Sequence, residues 1–296
     1  MFAIVICLTA ATMLSSYSKG ELPNEEIQIR TLLVKLYHDT NGDGWRTKTN
    51  WLSDKPINEW YGISYSPGNL KINLVYNNLI ETIDVSGCAT LTYLSCSDNQ
   101  LTSLNVSGCT ALTKFKCYRN QLTSINVSGC MDLTGFGCDN NQLTSLDMSG
   151  CATLTYLSCS GNQLTSINVS GCEDLTGFGC DNNQLTSLDV SSCTALTDLF
   201  CNNNQLTSLD VSGYTALNRL YCYNNQLTSL DVSGCTALNR LYCHNNQLTA
   251  TTLNTVFGML PDRSSSTHGK MYTFGNPGVS TCTPSIAEAK GWTVNR

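Results

Sequence analysis

Residues 91–111 read LTYLSCSDNQLTSLNVSGCTA, and close copies of this 21-residue segment follow one another along the chain. Each copy carries an asparagine at its ninth position. These asparagines are Asn99, Asn120, Asn141, Asn162, Asn183, Asn204, Asn225 and Asn246, each 21 residues after the one before. A fixed period of this length is typical of a solenoid, in which each copy forms one turn and packs only against the turns beside it.

The spacing of apolar residues within one copy predicts which side chains line the core. The pattern L-x-x-L-x-C-x-x-N occurs first at Leu91, Leu94, Cys96 and Asn99, and its spacing recurs at Leu101, Leu104, Val106 and Cys109. Because side chains alternate along a strand, Leu94 and Cys96 should point inward, and Tyr93 and Ser95 outward. One turn buries too little to fold alone, so the turns must stack through parallel backbone hydrogen bonds. The asparagine should then bond backbone groups where each turn leaves its strand.

The spacing L-x-x-L-x-L-x-x-[NC] is the leucine-rich-repeat signature. With cysteine at the sixth position, a length of 21 residues and the second half LDVS, the copies resemble the cysteine-ladder repeats of internalin J-like bacterial surface proteins. The resemblance implies an α/β repeat solenoid, a right-handed leucine-rich-repeat superhelix with parallel strands, a helical N-terminal cap and a small C-terminal α/β cap. It also implies adhesion or host interaction.

The sequence around the copies predicts four segments. Residues 1–20 contain an apolar run too short to span a membrane and are predicted to be a signal peptide. Residues 21–68 form the N-terminal cap, 69–249 one degenerate turn and eight 21-residue turns, and 250–296 the C-terminal cap. No later segment has the length and apolar character of a transmembrane helix. We therefore expect a secreted or cell-surface protein, folded as one repeat unit and monomeric.

The N-terminal cap is predicted from a helix and a group of tryptophans. Acidic residues after Asn24 and apolar residues at helical spacing indicate a capping helix. The tryptophans that follow (Trp45, Trp51 and Trp60) resemble the cap of plant-type leucine-rich-repeat proteins. That cap contains a disulfide, but here the two cysteine positions hold Asn58 and Tyr65. The tryptophans are therefore expected to cover the first turn without it.

The C-terminal cap is predicted to contain a short helix after Asn246, a strand over residues 270–274, a turn at Asn276, a second helix near 285–289 and a strand at 292–294. Such a cap covers the edge of the last turn, which would otherwise offer unpaired backbone groups to another chain.

The cysteines of the copies fall into register rather than into pairs. One ladder is Cys96, Cys117, Cys138, Cys159, Cys180, Cys201, Cys222 and Cys243; the other is Cys88, Cys109, Cys130, Cys151, Cys172, Cys193 and Cys235, interrupted by Tyr214. Cβ atoms of neighbouring turns lie about 4.8 Å apart, beyond the usual disulfide range of about 3.5 to 4.5 Å. We expect mostly free, buried thiols. Zinc and iron–sulfur sites are disfavoured because no C-x₂-C pair occurs, and no cofactor is expected.

A possible calcium loop lies in the N-terminal cap. Asp39, Asn41 and Asp43, followed by Gly44, match the first six positions of the loop D-x-[DN]-x-[DN]-G. The twelfth position, where a bidentate Glu belongs, is Asn50. A polar turn between the helix and the tryptophans is the favoured interpretation.

The outward strand positions vary between copies, whereas the segment NQLTSLDVSG hardly changes. The variable residues are Tyr93, Lys114, Lys116, Tyr118, Arg119, Tyr156, Asp198, Phe200, Arg219, Tyr221, Tyr223, Arg240, Tyr242 and His244. Gly135, Gly137, Gly177 and Gly179 leave two turns bare. Aromatic residues and arginine on one sheet face are enriched in binding hot spots, so we interpret the variable residues as a partner-binding face centred on Phe200 to His244. The alternative is that these residues merely suit exposed strands in recently duplicated copies.

Bulk properties narrow the function. A net charge of −6, with 13% charged residues and no Lys/Arg run, argues against a nucleic-acid partner. The sequence contains no pattern typical of an enzyme site: we find no nucleophile with a base, no paired carboxylates and no phosphate-binding loop. The sequence predicts a non-catalytic binding protein that recognises a protein. A glycan-binding module and a structural spacer on the cell surface are the alternatives, since aromatic platforms suit sugars and proteins alike.

Overall fold

The computed structural model describes residues 24–265 and 268–296, which form two compact units divided between Met131 and Asp132. The predicted signal peptide at residues 1–20 lies outside the described residues. Within them, no helix has the length and apolar character needed to cross a membrane.

The first unit opens with the predicted capping helix, α1 (Asn24–Asp39), followed by short 3-10 turns at Gly42–Gly44 and Ile57–Glu59. One side of α1 is buried, and its Tyr37 packs against Trp45 and Trp51. The ring centroids of Trp45 and Trp51 are 4.7 Å apart, and those of Trp51 and Trp60 are 5.2 Å apart. The predicted tryptophan cluster is therefore present and buried.

The strands of the first unit form two sheets. They are β1 (Ile63–Ser66), β2 (Asn69–Asn73), β3 (Ile80–Asp84), β4 (Leu91–Ser95), β5 (Gln100–Asn105), β6 (Lys114–Lys116) and β7 (Ile125–Asn126). Strands β1 and β2 pair as an antiparallel hairpin, and β4 and β6 continue that sheet in parallel. Strands β3, β5 and β7 pair in parallel as the second sheet, formed by the second half of each turn.

The second unit repeats this arrangement and extends it into the C-terminal cap. Its elements are β8 (Gly135–Gly137), β9 (Ser145–Asp147), β10 (Tyr156–Ser158), β11 (Ser166–Asn168), β12 (Gly177–Gly179), β13 (Asp198–Phe200), β14 (Arg219–Tyr221), β15 (Arg240–Tyr242), α2 (Ala250–Met259), β16 (Gly269–Tyr272), α3 (Ser285–Glu288) and β17 (Trp292–Asn295). Parallel neighbours follow in the order β8, β10, β12, β13, β14, β15, β16, β17, while β9 pairs with β11. The predicted cap elements are present, and both cap strands continue the sheet.

The inward positions in the first half of each turn are buried, as the spacing predicts, whereas Ile125, Ile167 and Leu188 in the second half are only half-buried. Leu94, Cys96 and Leu101 are fully buried, and so are their counterparts in the later turns. Ser95, which was predicted to point outward, is only 1% exposed. It pairs in register with Asn73 and Lys116 on the neighbouring strands. The short serine therefore lies between longer side chains that shield it from solvent.

The repeated asparagine bonds one turn to the turn before it. The Asn183 Nδ2 donates to the carbonyls of Cys180 at 3.0 Å and of Cys159, in the preceding turn, at 3.1 Å. Its Oδ1 accepts from the Leu164 amide at 3.0 Å. Because both ends of the amide are used, each asparagine satisfies backbone groups that the turn leaves unpaired. This confirms the predicted structural role.

The described cysteines, from Cys88 to Cys282, are free thiols, and all except Cys88 are buried. In the second ladder, the thiols of Cys109 and Cys235 donate to the carbonyls of Val85 and Val211, each at 3.1 Å. Tyr214 interrupts this ladder, and its phenol donates to the corresponding carbonyl, that of Val190. The tyrosine thus preserves the bond that a cysteine makes in other turns.

Candidate binding surface

Outward residues of the last turns of the second unit lie in rows across the parallel strands. One row is Phe200, Tyr221, Tyr242 and Tyr272, and the row beside it is Asp198, Arg219, Arg240 and Lys270. A third row, just beyond the strand ends, contains Tyr223, His244 and Phe274. Neighbouring strands lie about 4.8 Å apart, so each side chain is within contact distance of the next in its row. We call these residues together the aromatic surface.

The first aromatic row is a continuous line of rings in contact. The centroids of Tyr221 and Tyr242 are 4.3 Å apart with an angle of 1° between the ring planes. Phe200 lies 4.9 Å from Tyr221 at 54°, and Tyr272 lies 4.5 Å from Tyr242 at 70°. The rings are half-buried against one another, and this burial raises the pKa of Tyr242 above its ordinary value. Each ring is therefore held in place by its neighbours.

The third row is a second stack, with a histidine at its centre. The His244 ring lies 4.4 Å from Tyr223 at 9° and 4.2 Å from Phe274 at 28°. Its Nδ1 is buried and has no hydrogen-bond partner among the described residues. Burial lowers the pKa of His244 below its ordinary value of 6.5, so the ring is neutral at pH 7. His244 thus acts as an aromatic ring on this surface rather than as a cation.

The charged row contains one paired cation and two cations without an ion pair. The Arg219 Nη2 donates to Asp198 Oδ2 at 2.8 Å, and Nε donates to the other oxygen of the same carboxylate. These bonds raise the pKa of Arg219, which also lies 5.6 Å from the Phe200 ring. Arg240 and Lys270 are exposed, and the described residues offer them no ion pair. Positive charge is therefore available along one side of the aromatic rows.

The predicted binding residues of the first unit form a smaller group. Tyr93 pairs in register with Lys114, and both lysines of β6, Lys114 and Lys116, are exposed, while Tyr118 is half-buried. Arg119 was predicted at an outward strand position, but it lies in the turn after β6, with a φ of 53°. That turn must reverse direction to leave the strand. The Arg119 side chain lies 3.4 Å from the Asp98 carboxylate.

The calcium-like loop has its carboxylates engaged by protein side chains. Asp39 pairs with Lys35, and Asp43 accepts a bond of 2.9 Å from the Tyr37 hydroxyl. Lys48 Nζ lies 3.9 Å from the Asp43 carboxylate. Burial, together with the bond to Asp43, raises the pKa of Tyr37 to about 12. Among the described residues, no group of His, Cys, Asp and Glu is placed to hold a metal ion.

Comparisons with known proteins agree with the fold. Residues 215–255 match the family model for leucine-rich repeats (2 copies). The functional domain of InlJ from Listeria monocytogenes, which includes a cysteine ladder, is 32% identical, with a TM-score of 0.51 over 70% of this chain and 49% of that one. The chain folds as a leucine-rich-repeat solenoid. No curated protein matches its sequence significantly.

Other leucine-rich-repeat structures share the fold at lower identity. YopM, a leucine-rich effector protein from Yersinia pestis, is 21% identical, with a TM-score of 0.55 over 70% of this chain and 54% of that one. A second structure is the ectodomain of the Arabidopsis thaliana receptor kinase GASSHO1/SCHENGEN3, in complex with CASPARIAN STRIP INTEGRITY FACTOR 2. It is 25% identical, with a TM-score of 0.57 over 76% of this chain and 29% of that one. This leucine-rich-repeat chain spans about half the length of the InlJ and YopM structures.

Sequence reasoning missed the part of the aromatic surface that lies in the C-terminal cap of the leucine-rich-repeat chain. Lys270, Tyr272 and Phe274 continue the three rows, although the sequence analysis assigned them only to a capping strand. Asn276 is the signal that would have found them. Its Nδ2 donates to the Cys243 carbonyl at 3.0 Å and its Oδ1 accepts from the Leu248 amide at 3.0 Å, as the repeated asparagines do. Phe274 precedes Asn276 by two residues, as His244 precedes Asn246.

Proposed function

We propose that this chain is a non-catalytic binding protein, secreted or displayed at a bacterial cell surface, that recognises another protein in adhesion or host interaction through the aromatic surface. The observation that carries the proposal is the parallel stack of Tyr221 on Tyr242 beside the exposed Arg240. The apolar run at residues 1–20 supports secretion, and the resemblance to internalin J-like proteins supports surface display.

The stack suits recognition because its rings are already ordered before a partner arrives. Phe200, Tyr221, Tyr242 and Tyr272 contact one another at centroid distances between 4.3 and 4.9 Å. Association normally loses about 0.5 to 1.5 kcal/mol for each side chain that it immobilises. Rings that are held by their neighbours lose less of this entropy. Tyrosine and arginine are also the residues most enriched in binding hot spots.

The charges of the surface indicate what the partner carries. Asp198 neutralises Arg219, whereas Arg240 and Lys270 have no ion pair among the described residues. A carboxylate on the partner that reached these two cations would form charge-assisted bonds at the edge of the aromatic rows. We therefore expect a partner segment that combines an acidic side chain with apolar or aromatic groups.

The chemistry of the thiols supports a non-catalytic role. A cysteine acts as a nucleophile through its thiolate, which needs a lowered pKa and access to solvent. Burial raises the pKa of Cys172 and Cys201 to about 12, and that of Cys235 to about 11. These thiols are protonated at neutral pH and serve as small core side chains.

The proposal is tested by replacing Arg219, Tyr221, Arg240 and Tyr242 with alanine together and measuring binding to host cells and mucus, followed by cross-linking to isolate the bound protein. The matched control replaces four exposed residues from the second halves of two adjacent turns: Thr207 and Ser208 in the turn of Phe200, and Thr228 and Ser229 in the turn of Arg219 and Tyr221. We expect binding to be lost only in the first variant, with circular dichroism unchanged in both. Unchanged binding by the first variant would overturn the proposal and favour a structural spacer.

A further inference from the structure

Tyr156 is an aromatic residue of the second unit that lies outside the aromatic surface. It stands in register with Gly135 on β8 and Gly177 on β12. The side chain is 56% exposed, compared with 39% for Phe274. Where Tyr221 and Tyr242 cover each other, Tyr156 has a glycine on both sides, and no other ring of the described residues contacts it.

The space around the Tyr156 ring is open on one side. A Cβ at Gly177 would lie 3.1 Å from Tyr156 Cδ2 and 3.6 Å from Cε2, so the ring rests against Gly177 by one edge. A Cβ at Gly135 would meet no atom of the same unit within 4 Å. The absence of side chains at both glycines therefore leaves the ring accessible and leaves room beside it above β8.

A fixed carboxylate lies beside this space. Asp139 Oδ1 accepts a bond from the Ser158 hydroxyl and another, of 3.0 Å, from the Ser160 amide. The described residues provide no hydrogen-bond donor to its second oxygen, Oδ2. Asp181, in the turn after that of Ser160, accepts a bond of 2.5 Å from the Ser160 hydroxyl. The serines thus hold Asp139 in one orientation with an acceptor oxygen still available.

Ser158 places the carboxylate of Asp139 near the Tyr156 ring. Tyr156 and Ser158 are two residues apart on β10, which is about 6.6 Å along a strand, and Asp139 is bonded to Ser158. The negative face of an aromatic ring attracts the C–H groups of a pyranose, and a carboxylate accepts hydrogen bonds from its hydroxyls. An acidic sugar would be repelled by Asp139 and Asp181.

We propose that Tyr156 and Asp139 form a binding site for one neutral sugar residue, seated over Gly135. The site is separate from the aromatic surface and does not depend on the function proposed for that surface. A proline or aromatic side chain of a peptide would use the ring but would leave the Asp139 acceptor without a donor. The combination of ring, bare glycines and oriented carboxylate therefore favours a sugar.

The test is saturation-transfer difference NMR on the whole chain with the methyl glycosides of glucose, galactose, mannose and N-acetylglucosamine, followed by titration of any glycoside that binds. Tyr156→Ala should weaken binding at least tenfold, while Tyr156→Phe, which keeps the ring, should retain it. Gly135→Leu should also weaken binding tenfold or more with the fold intact, because its side chain fills the proposed seat. Asp139→Asn should weaken binding severalfold.

Tyr242→Ala serves as the matched control, since it removes a ring of the aromatic surface and should leave glycoside binding unchanged. The inference is overturned if none of the four glycosides binds, or if Tyr156→Ala or Gly135→Leu binds as well as the unaltered chain. It is also overturned if a proline-rich peptide binds at Tyr156 and the glycosides do not displace it. None of these outcomes bears on protein binding by the aromatic surface, so the two proposals fail separately.

Discussion

Asn58 bonds both backbone polar groups of Tyr65: its Nδ2 donates to the Tyr65 carbonyl at 2.8 Å, and its Oδ1 accepts from the Tyr65 amide. Plant-type caps, which this segment resembles, carry two disulfide-bonded cysteines at the positions of Asn58 and Tyr65. The same points of the chain are therefore joined here by a side-chain amide. Together with the buried tryptophans, this pair of bonds fixes the hairpin of β1 and β2 beside the first turn.

Replacing Asn58 with alanine should destabilise the N-terminal cap. The variant loses two hydrogen bonds, but both lie at an exposed site where water can replace them, so we expect a loss of about 1 kcal/mol in the free energy of unfolding. Urea unfolding followed by tryptophan fluorescence measures this, because Trp60 lies close by in the sequence. The control Glu59→Ala removes an exposed residue and should change the stability by less than about 0.5 kcal/mol.

Replacing Arg119 with asparagine should stabilise the chain. The residue before each repeated asparagine has a left-handed backbone, with φ of 55° at Asn140, Asn182 and Asn203 and 53° at Arg119. Asparagine tolerates this conformation better than residues with long side chains, while the exposed Arg119–Asp98 pair contributes little. We expect a gain of about 0.5 to 1 kcal/mol in urea unfolding. Arg119→Lys, which keeps the backbone strain, should show no gain, and an equal gain would contradict this explanation.

Replacing Asn183 with alanine should be far more harmful than replacing its neighbour Gln184. The variant leaves the Leu164 amide and the carbonyls of Cys159 and Cys180 without the bonds that Asn183 supplies. The two carbonyls each keep one donor, from Asn162 and Asn204, whereas the buried Leu164 amide loses its acceptor. A buried group without a partner costs about 1 to 3 kcal/mol, so we expect a total loss of about 2 to 3 kcal/mol. Gln184 is exposed, and Gln184→Ala should be nearly neutral. Equal stabilities of the two variants in urea unfolding would rule out the structural role of the asparagine.

The 21-residue period explains which parts of the fold could be predicted from the sequence. Every 21-residue copy repeats the same core residues and the same asparagine, so the buried ladders and the parallel strands could be predicted from spacing alone. Between Asn246 and Asn276 the interval is 30 residues, because α2 is inserted between the two turns. The pairing of Tyr272 with Tyr242 could therefore not be predicted from the spacing. Ring angles depend on packing with neighbours, which spacing does not encode.

The stability of the chain should fall as the pH rises above 9. Burial raises the pKa of Cys172 and Cys201 from an ordinary value of 9.0 to about 12, and that of Cys235 to about 11. The unfolded thiols ionise first, so the unfolded state binds fewer protons than the folded state between pH 9 and about 11 to 12 and is favoured there. Urea unfolding midpoints at pH 7, 8, 9 and 10 should be constant below the ordinary thiol pKa and decrease beyond it. A midpoint that rose between pH 9 and pH 10 would contradict the buried, protonated thiols.

Replacing Tyr272 with alanine should weaken binding of the protein partner, although this residue lies in the C-terminal cap. Its ring packs 4.5 Å from Tyr242 and 6.3 Å from His244, so the substitution removes the end of the first aromatic row and an edge contact of the third row. An aromatic hot-spot residue of an interface typically contributes about 2 kcal/mol, which corresponds to a roughly thirtyfold loss of affinity by surface plasmon resonance with the captured partner. Tyr272→Phe keeps the ring and should bind normally, and Thr251→Ala, at an exposed position of α2, should do the same. Full affinity in Tyr272→Ala would confine the binding surface to the repeats themselves.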